Sequence, residues 1–172
     1  MKTLIIYYSL EGNTRLIADT LAQELDADTL RLEPIKDIKP NGFMKYMRGG
    51  KQIVMKETPK LRFVVSLFER EMSEGQRDLE VNPNDYDLII MGTPVRAFNY
   101  VPAFRTFFQD CKIKNKQIAL FCTHEGQAAK TLNNMKDRLP QNDIIATKAF
   151  INVTKNKKEA VEEAKKWSKE LA

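Results

Sequence analysis

Apolar residues along this chain gather in five short runs, Thr3 to Tyr8, Thr29 to Leu32, Asp87 to Met91, Ile118 to Cys122 and Ile144 to Ile151. Four of them are rich in β-branched residues, which suits pleated, buried strands. Between and after these runs the apolar spacing shifts to the period of an amphipathic helix, over Arg15 to Leu25, Val101 to Asp110, Ala128 to Leu139 and Lys157 to Leu171. Near-continuous apolar strands alternating with one-sided helices predict an α/β domain with a parallel sheet covered on both faces.

One stretch breaks the alternation. Pro34 to Asn84 is too long for a simple α/β connection and is read as a basic insert between the second and third strands. From Lys36 to Arg62 it carries Lys36, Lys39, Lys45, Arg48, Lys51, Lys56, Lys60 and Arg62 against only Asp37 and Glu57. A basic amphipathic helix is predicted from at least Gly42 to Met47, and either a solvated cover over the sheet edge or a docking surface would use it. Leu61 to Met72 reads equally as helix or strand. Ser73-Glu74-Gly75-Gln76 and Asn82-Pro83-Asn84-Asp85 are predicted turns.

Composition narrows the options. With 172 residues, 42% of them hydrophobic, the chain fits one domain, residues 1–172, with an ordinary core. No run approaches the roughly 18 apolar residues of a membrane span, and the start lacks a signal-peptide pattern, so a soluble, cytoplasmic protein is expected. Cys111 and Cys122 sit at no metal-ligand spacing and are expected to be free thiols. The net charge of +5 favours an anionic partner. Basic and aromatic residues are not interleaved as in RNA-binding motifs and no zinc-finger spacing occurs, so nucleic acid is not the expected partner. His124 is the single histidine, which rules out a multi-histidine metal centre. No carboxylate pair suits acid–base work, so no catalytic residue and no metal site are assigned.

In open parallel sheets, ligands bind beyond the carboxyl ends of the strands. The first such segment is Ser9-Leu10-Glu11-Gly12-Asn13-Thr14, a hydroxyl-rich turn between the first strand and the first helix. Backbone N–H groups, the positive end of a helix dipole and short side-chain donors converge there, which suits a phosphate group as well as ordinary helix capping. The Walker pattern and the dinucleotide pattern G-x-G-x-x-G are both missing, which favours a terminal monophosphate over a triphosphate or a Rossmann-bound dinucleotide. The third strand runs into Gly92-Thr93-Pro94-Val95-Arg96-Ala97-Phe98-Asn99-Tyr100, and the fourth into Thr123-His124-Glu125-Gly126-Gln127.

Ser9-x-Glu11-Gly12-Asn13-Thr14, Tyr86 to Val95 and Phe121-x-Thr123-x-x-Gly126, in this order and at these spacings, resemble the flavodoxin family over nearly the whole chain. The resemblance implies a flavodoxin-like, doubly wound three-layer sandwich with a five-stranded parallel sheet in the order 2-1-3-4-5, and FMN as cofactor. It assigns the FMN phosphate to Ser9, Leu10, Glu11, Gly12, Asn13 and Thr14, with the Glu11 carboxylate turned away. Thr93, Pro94 and Val95 would follow the ribityl chain and ring edge, with Arg96, Phe98, Asn99 and Tyr100 beside the ring. Thr123, His124, Glu125, Gly126 and Gln127 would meet the pyrimidine edge. Arg96 stands where relatives with Gly-Thr-Pro-Val commonly carry Trp, and its planar guanidinium can stack on a ring or donate to an anionic flavin. The implied function is electron transfer between redox partners; the alternative is an FMN-dependent oxidoreductase using NAD(P)H with a quinone or other small-molecule acceptor. A basic chain points to an acidic redox partner protein or an anionic membrane surface.

Overall fold

A computed structural model describes residues 1–34, 61–66 and 81–172, the segment 61–66 as backbone only. The elements are β1 (Thr3–Tyr7), α1 (Asn13–Leu25), β2 (Asp28–Pro34), β3 (Leu61–Ser66), β4 (Leu88–Pro94), α2 (Pro102–Asp110), β5 (Gln117–His124), α3 (Thr131–Lys136), β6 (Asp143–Ile151) and α4 (Lys157–Leu171). They build one sheet in the order β3-β2-β1-β4-β5-β6. Strands β2, β1, β4, β5 and β6 run parallel to one another, which is the expected 2-1-3-4-5 order of five parallel strands. A sixth strand was not anticipated. β3 pairs antiparallel with β2, from Thr29 opposite Ser66 to Pro34 opposite Leu61. This resolves the start of the Leu61 to Met72 patch as strand; the predicted Gly42 to Met47 helix and the Ser73 to Gln76 turn lie outside the described residues.

The central strands are apolar throughout because both their faces are covered. Leu4 and Ile6 of β1, Ile89 and Met91 of β4, and Ile118 and Leu120 of β5 pack with Phe104, Phe107 and Phe108 of α2 and Met135 of α3. Their neighbours in sequence point to the opposite face, where Ile5, Ile90, Ala119 and Phe121 meet Ile17 and Leu21 of α1 and Ala164 and Trp167 of α4. Gly92 permits the tightest packing there: a Cβ on it would come within 2.0 Å of the Phe121 ring. That ring makes edge contacts with Phe150 and Trp167.

α3 is shorter than the Ala128 to Leu139 pattern predicts. Ala129 takes a left-handed φ of 48° before it. After it, the Arg138 and Leu139 amides reach back only three residues, to the carbonyls of Met135 and Lys136, so the helix tightens and ends. The Asn82 to Asp85 turn forms as expected, as a 3₁₀ turn over Pro83–Asp85 with the Asn82 side chain accepting from the Asn84 amide.

Candidate functional site

The chain crosses from β1 to β2 on one side of the sheet and to β4 and β5 on the other, so strand order reverses at β1 and a crevice opens beyond its carboxyl end. A cavity of about 370 Å³ occupies it, lined by residues at the carboxyl ends of β4 and β5 and in the segments after β1, β4, β5 and β6.

Ser9 to Thr14 forms its first wall. Gly12 has φ 93°, a left-handed conformation that glycine adopts without penalty, and it turns the chain into α1. Among the described residues no side chain caps this helix, so the amides of its first turn face the loop without an intrahelical acceptor. The Gly12 N–H donates to Ser9 Oγ at 3.2 Å. The buried Thr14 and Thr123 hydroxyls lie 2.8 Å apart, tying this loop to the end of β5. Asn13 Nδ2 donates to Thr154 Oγ1 at 2.7 Å, linking it to the segment after β6. From β2, Arg31 Nη2 donates to the Ser9 carbonyl at 3.3 Å.

The second wall is a tight hairpin. Arg96 and Asn99 exchange backbone hydrogen bonds of 2.8 and 3.1 Å, and the two residues between them, Ala97 and Phe98, have φ 46° and 61°. That is the backbone of a type I′ turn, which normally takes Asn-Gly. The Arg96 guanidinium lies over the Tyr8 ring at 5.6 Å. Asn99 Oδ1 accepts from the Tyr100 amide at 2.8 Å and from Asn134 Nδ2 at 3.0 Å. Phe98 projects from the tip, 72% exposed.

The third wall is Thr123, His124 and Glu125, joined by Val153 from beyond β6. His124 Nδ1 is buried and finds no hydrogen-bond partner among the described residues, which leaves a donor or acceptor beside the cavity. Glu11, Glu125 and Arg96 are the charged residues among those lining it. Beneath this wall the Cys122 thiol is pushed up to about 12 by burial, and burial followed by the Asp110 charge also raises that of Cys111. Both cysteines are free.

The structure therefore gathers Ser9, Leu10, Glu11, Asn13, Thr14, Pro94, Val95, Arg96, Thr123, His124 and Glu125 around one space. Gly12 shapes that wall without lining it. Thr93 is fully buried, and its hydroxyl donates to the Pro94 carbonyl and accepts from the Val101 amide. Tyr100 packs edge-on against Phe108 in the core, and Phe98, Asn99, Gly126 and Gln127 do not line the cavity. Ala97, Val153 and Arg31 were not singled out from the sequence. Ala97 carries no chemistry of its own. Val153 follows the fifth parallel strand, so the rule that led to the other three loops also pointed there.

A family model described as flavodoxin matches residues 2–171. The sequence matches no curated protein. Among solved structures, the chain resembles a flavoprotein of Lactobacillus acidophilus in complex with FMN at 20% identity and a TM-score of 0.68, covering 91% of this chain and 97% of that one. A structure from Bacteroides uniformis aligns at 18% identity with a TM-score of 0.72, over 98% and 97% of the two chains. Oxidised flavodoxin 1 from Bacillus cereus aligns at 15% identity with a TM-score of 0.56, over 99% and 96%.

Proposed function

The chain belongs to the flavodoxin family, and from that premise we propose that its crevice holds FMN and that the protein carries electrons between redox partners in the cytoplasm. One observation carries the cofactor reading: an uncapped helix N-terminus converges with Ser9, Asn13 and Thr14 on a cavity shared with the loops after β4 and β5. Neutral, preorganised donors of this kind stabilise a phosphate dianion without a paired cation. The cavity volume lies within the range of cofactor sites. The similar Lactobacillus acidophilus flavoprotein, with its FMN, supports the same assignment.

In this reading the Ser9 to Thr14 loop binds the phosphate, Pro94 to Ala97 line the polyol and ring, and Thr123 to Glu125 meet the ring's polar edge. When bound, FMN supplies the redox chemistry. The protein's contribution is position and field. Arg96, laid over Tyr8, brings a fixed positive charge to the rim, and a cation near the ring favours its reduced, more anionic forms. His124 Nδ1 is available to a polar group of the ring edge. Among the described residues no helix is long and apolar enough to cross a membrane. The basic chain suits an acidic redox partner.

The test is spectroscopic. Purified protein should be yellow and should release FMN on denaturation; a colourless protein that takes up no added FMN would overturn the cofactor reading. Potentiometric titration should resolve separate one-electron steps for a carrier. Rapid NADPH oxidation by the loaded protein alone, with a quinone as acceptor, would replace the carrier with a reductase.

A further inference from the structure

We propose that Arg31 is the positioning residue of the phosphate loop, holding it in its anion-binding shape from behind; this rests on the cofactor reading above. Arg31 lies on β2 directly beside Tyr7 of β1, two residues before the loop begins. Its Nη2 donates to the Ser9 carbonyl at 3.3 Å, and its Nη1 pairs with Glu33 Oε1 at 3.2 Å. Its Nε is buried and finds no acceptor among the described residues. The planar guanidinium is thus braced between a carboxylate on its own strand and one backbone oxygen of the loop, a geometry that a lysine ammonium does not reproduce.

That oxygen matters because of what shares its peptide plane. In a trans peptide the carbonyl and the following N–H point in opposite directions. Anchoring the Ser9 carbonyl on Arg31 therefore turns the Leu10 N–H away from β2, toward the side where Ser9, Leu10 and Thr14 line the cavity. A charged donor on the carbonyl also polarises the peptide and strengthens that N–H as a donor. The Ser9 side chain is committed as well, accepting from the Gly12 amide, so both polar ends of Ser9 are held.

Glu33 offsets much of the charge on Arg31 at longer range, and Arg15 and Asp19 on α1 pair with each other at 3.2 Å. The action is consequently local: it orients one peptide and leaves the general field of the site little changed. A brace that serves only the sheet edge would influence stability without distinguishing a phosphorylated flavin from an unphosphorylated one.

The experiment measures FMN and riboflavin affinity by flavin fluorescence quenching in the wild type, Arg31→Gln, Arg31→Lys and Glu33→Gln. It also follows the Leu10 amide by NMR during titration with inorganic phosphate. Losing one hydrogen bond from a charged donor should weaken FMN binding by about tenfold in Arg31→Gln, with riboflavin affinity unchanged. Arg31→Lys should recover part of the preference for FMN, and Glu33→Gln should retain most of it. A parallel fall for both flavins, or no change for either, would overturn the role of Arg31. Wild-type protein that binds neither flavin would defeat the cofactor reading, and the phosphate titration then decides on Arg31. A Leu10 shift present in the wild type and lost in Arg31→Gln supports the brace; an equal shift in both, or none in the wild type, overturns it.

Discussion

The loop after β1 and the hairpin after β4 face each other across one cavity, yet they are built in opposite ways. Ser9 to Thr14 is relaxed and tied from three directions, by Thr123, Thr154 and Arg31, and its left-handed residue is a glycine. Arg96 to Asn99 places Ala97 and Phe98 in left-handed backbone, at roughly 1 to 2 kcal/mol each, and exposes an aromatic ring at its tip. Strain of this kind persists only where the surroundings over-determine it. Here the paired Arg96 and Asn99 backbones, the Tyr8 ring under Arg96 and the Asn134 amide on Asn99 supply the constraint. Labour is divided between the two walls: one is an anchor of fixed donors, and the other holds a cation and an exposed aromatic ring.

The most severe way to break that division is at the anchor. Replacing Asn13 and Thr14 together with alanine should weaken FMN binding by roughly 3 to 6 kcal/mol, since each removes a donor to a charged group. Fluorescence titration checks this, and unchanged affinity would mean that the phosphate sits elsewhere. Gly12→Ala should destabilise the fold by about 1 kcal/mol in urea unfolding. Space around Gly12 is open, so the cost is its φ of 93° alone.

The hairpin should respond in the opposite direction. Substituting Asn-Gly for Ala97-Phe98 should stabilise the protein by about 1 kcal/mol, because it relieves two left-handed residues and gives up a ring that is mostly in water. Partner kinetics should slow in the same variant. If stability falls instead, the turn is not strained as argued.

At neutral pH the smallest effect concerns the base that both loops share. Cys122 on β5 lies opposite Thr93 on β4. Its thiol keeps its proton up to about 12, against an ordinary 9.0, and burial also raises Tyr7 above its ordinary 10.0. An unfolded chain ionises first, so the folded state binds more protons between those values and stability must fall as pH rises from about 9 toward 12. Unfolding midpoints should decline over that window and decline less in Cys122→Ala. A native-state thiol assay near pH 8 should label Cys111 ahead of Cys122.

Much of this was legible from residues alone, because both relevant periods are short. Near-continuous apolar runs at β1, β4 and β5 and the 3.6-residue period of the helices between them are each read within a few residues, and the parallel sheet followed from their alternation. The phosphate-loop donors were legible because they are contiguous, from Ser9 to Thr14. The antiparallel β3 was not, since its pairing with β2, from Pro34 opposite Leu61 to Thr29 opposite Ser66, spans a long stretch with no clear period. Thr93 and Tyr100 looked like ligand contacts by position, and packing committed Thr93 to the Val101 amide and Tyr100 to Phe108.

The layers, the order of strands along the chain and the chemistry of the first loop are written in short stretches of residues, since propensity, periodicity and turn donors act over a few positions. Which groups meet is set by folding in three dimensions: the Thr14 and Thr123 hydroxyls 109 residues apart, the Arg96 guanidinium over Tyr8, and Arg31 behind Ser9. These contacts depend on the register of β1 against its neighbours and on two left-handed residues in the hairpin. Neither is a local property, so no reading of adjacent residues contains them.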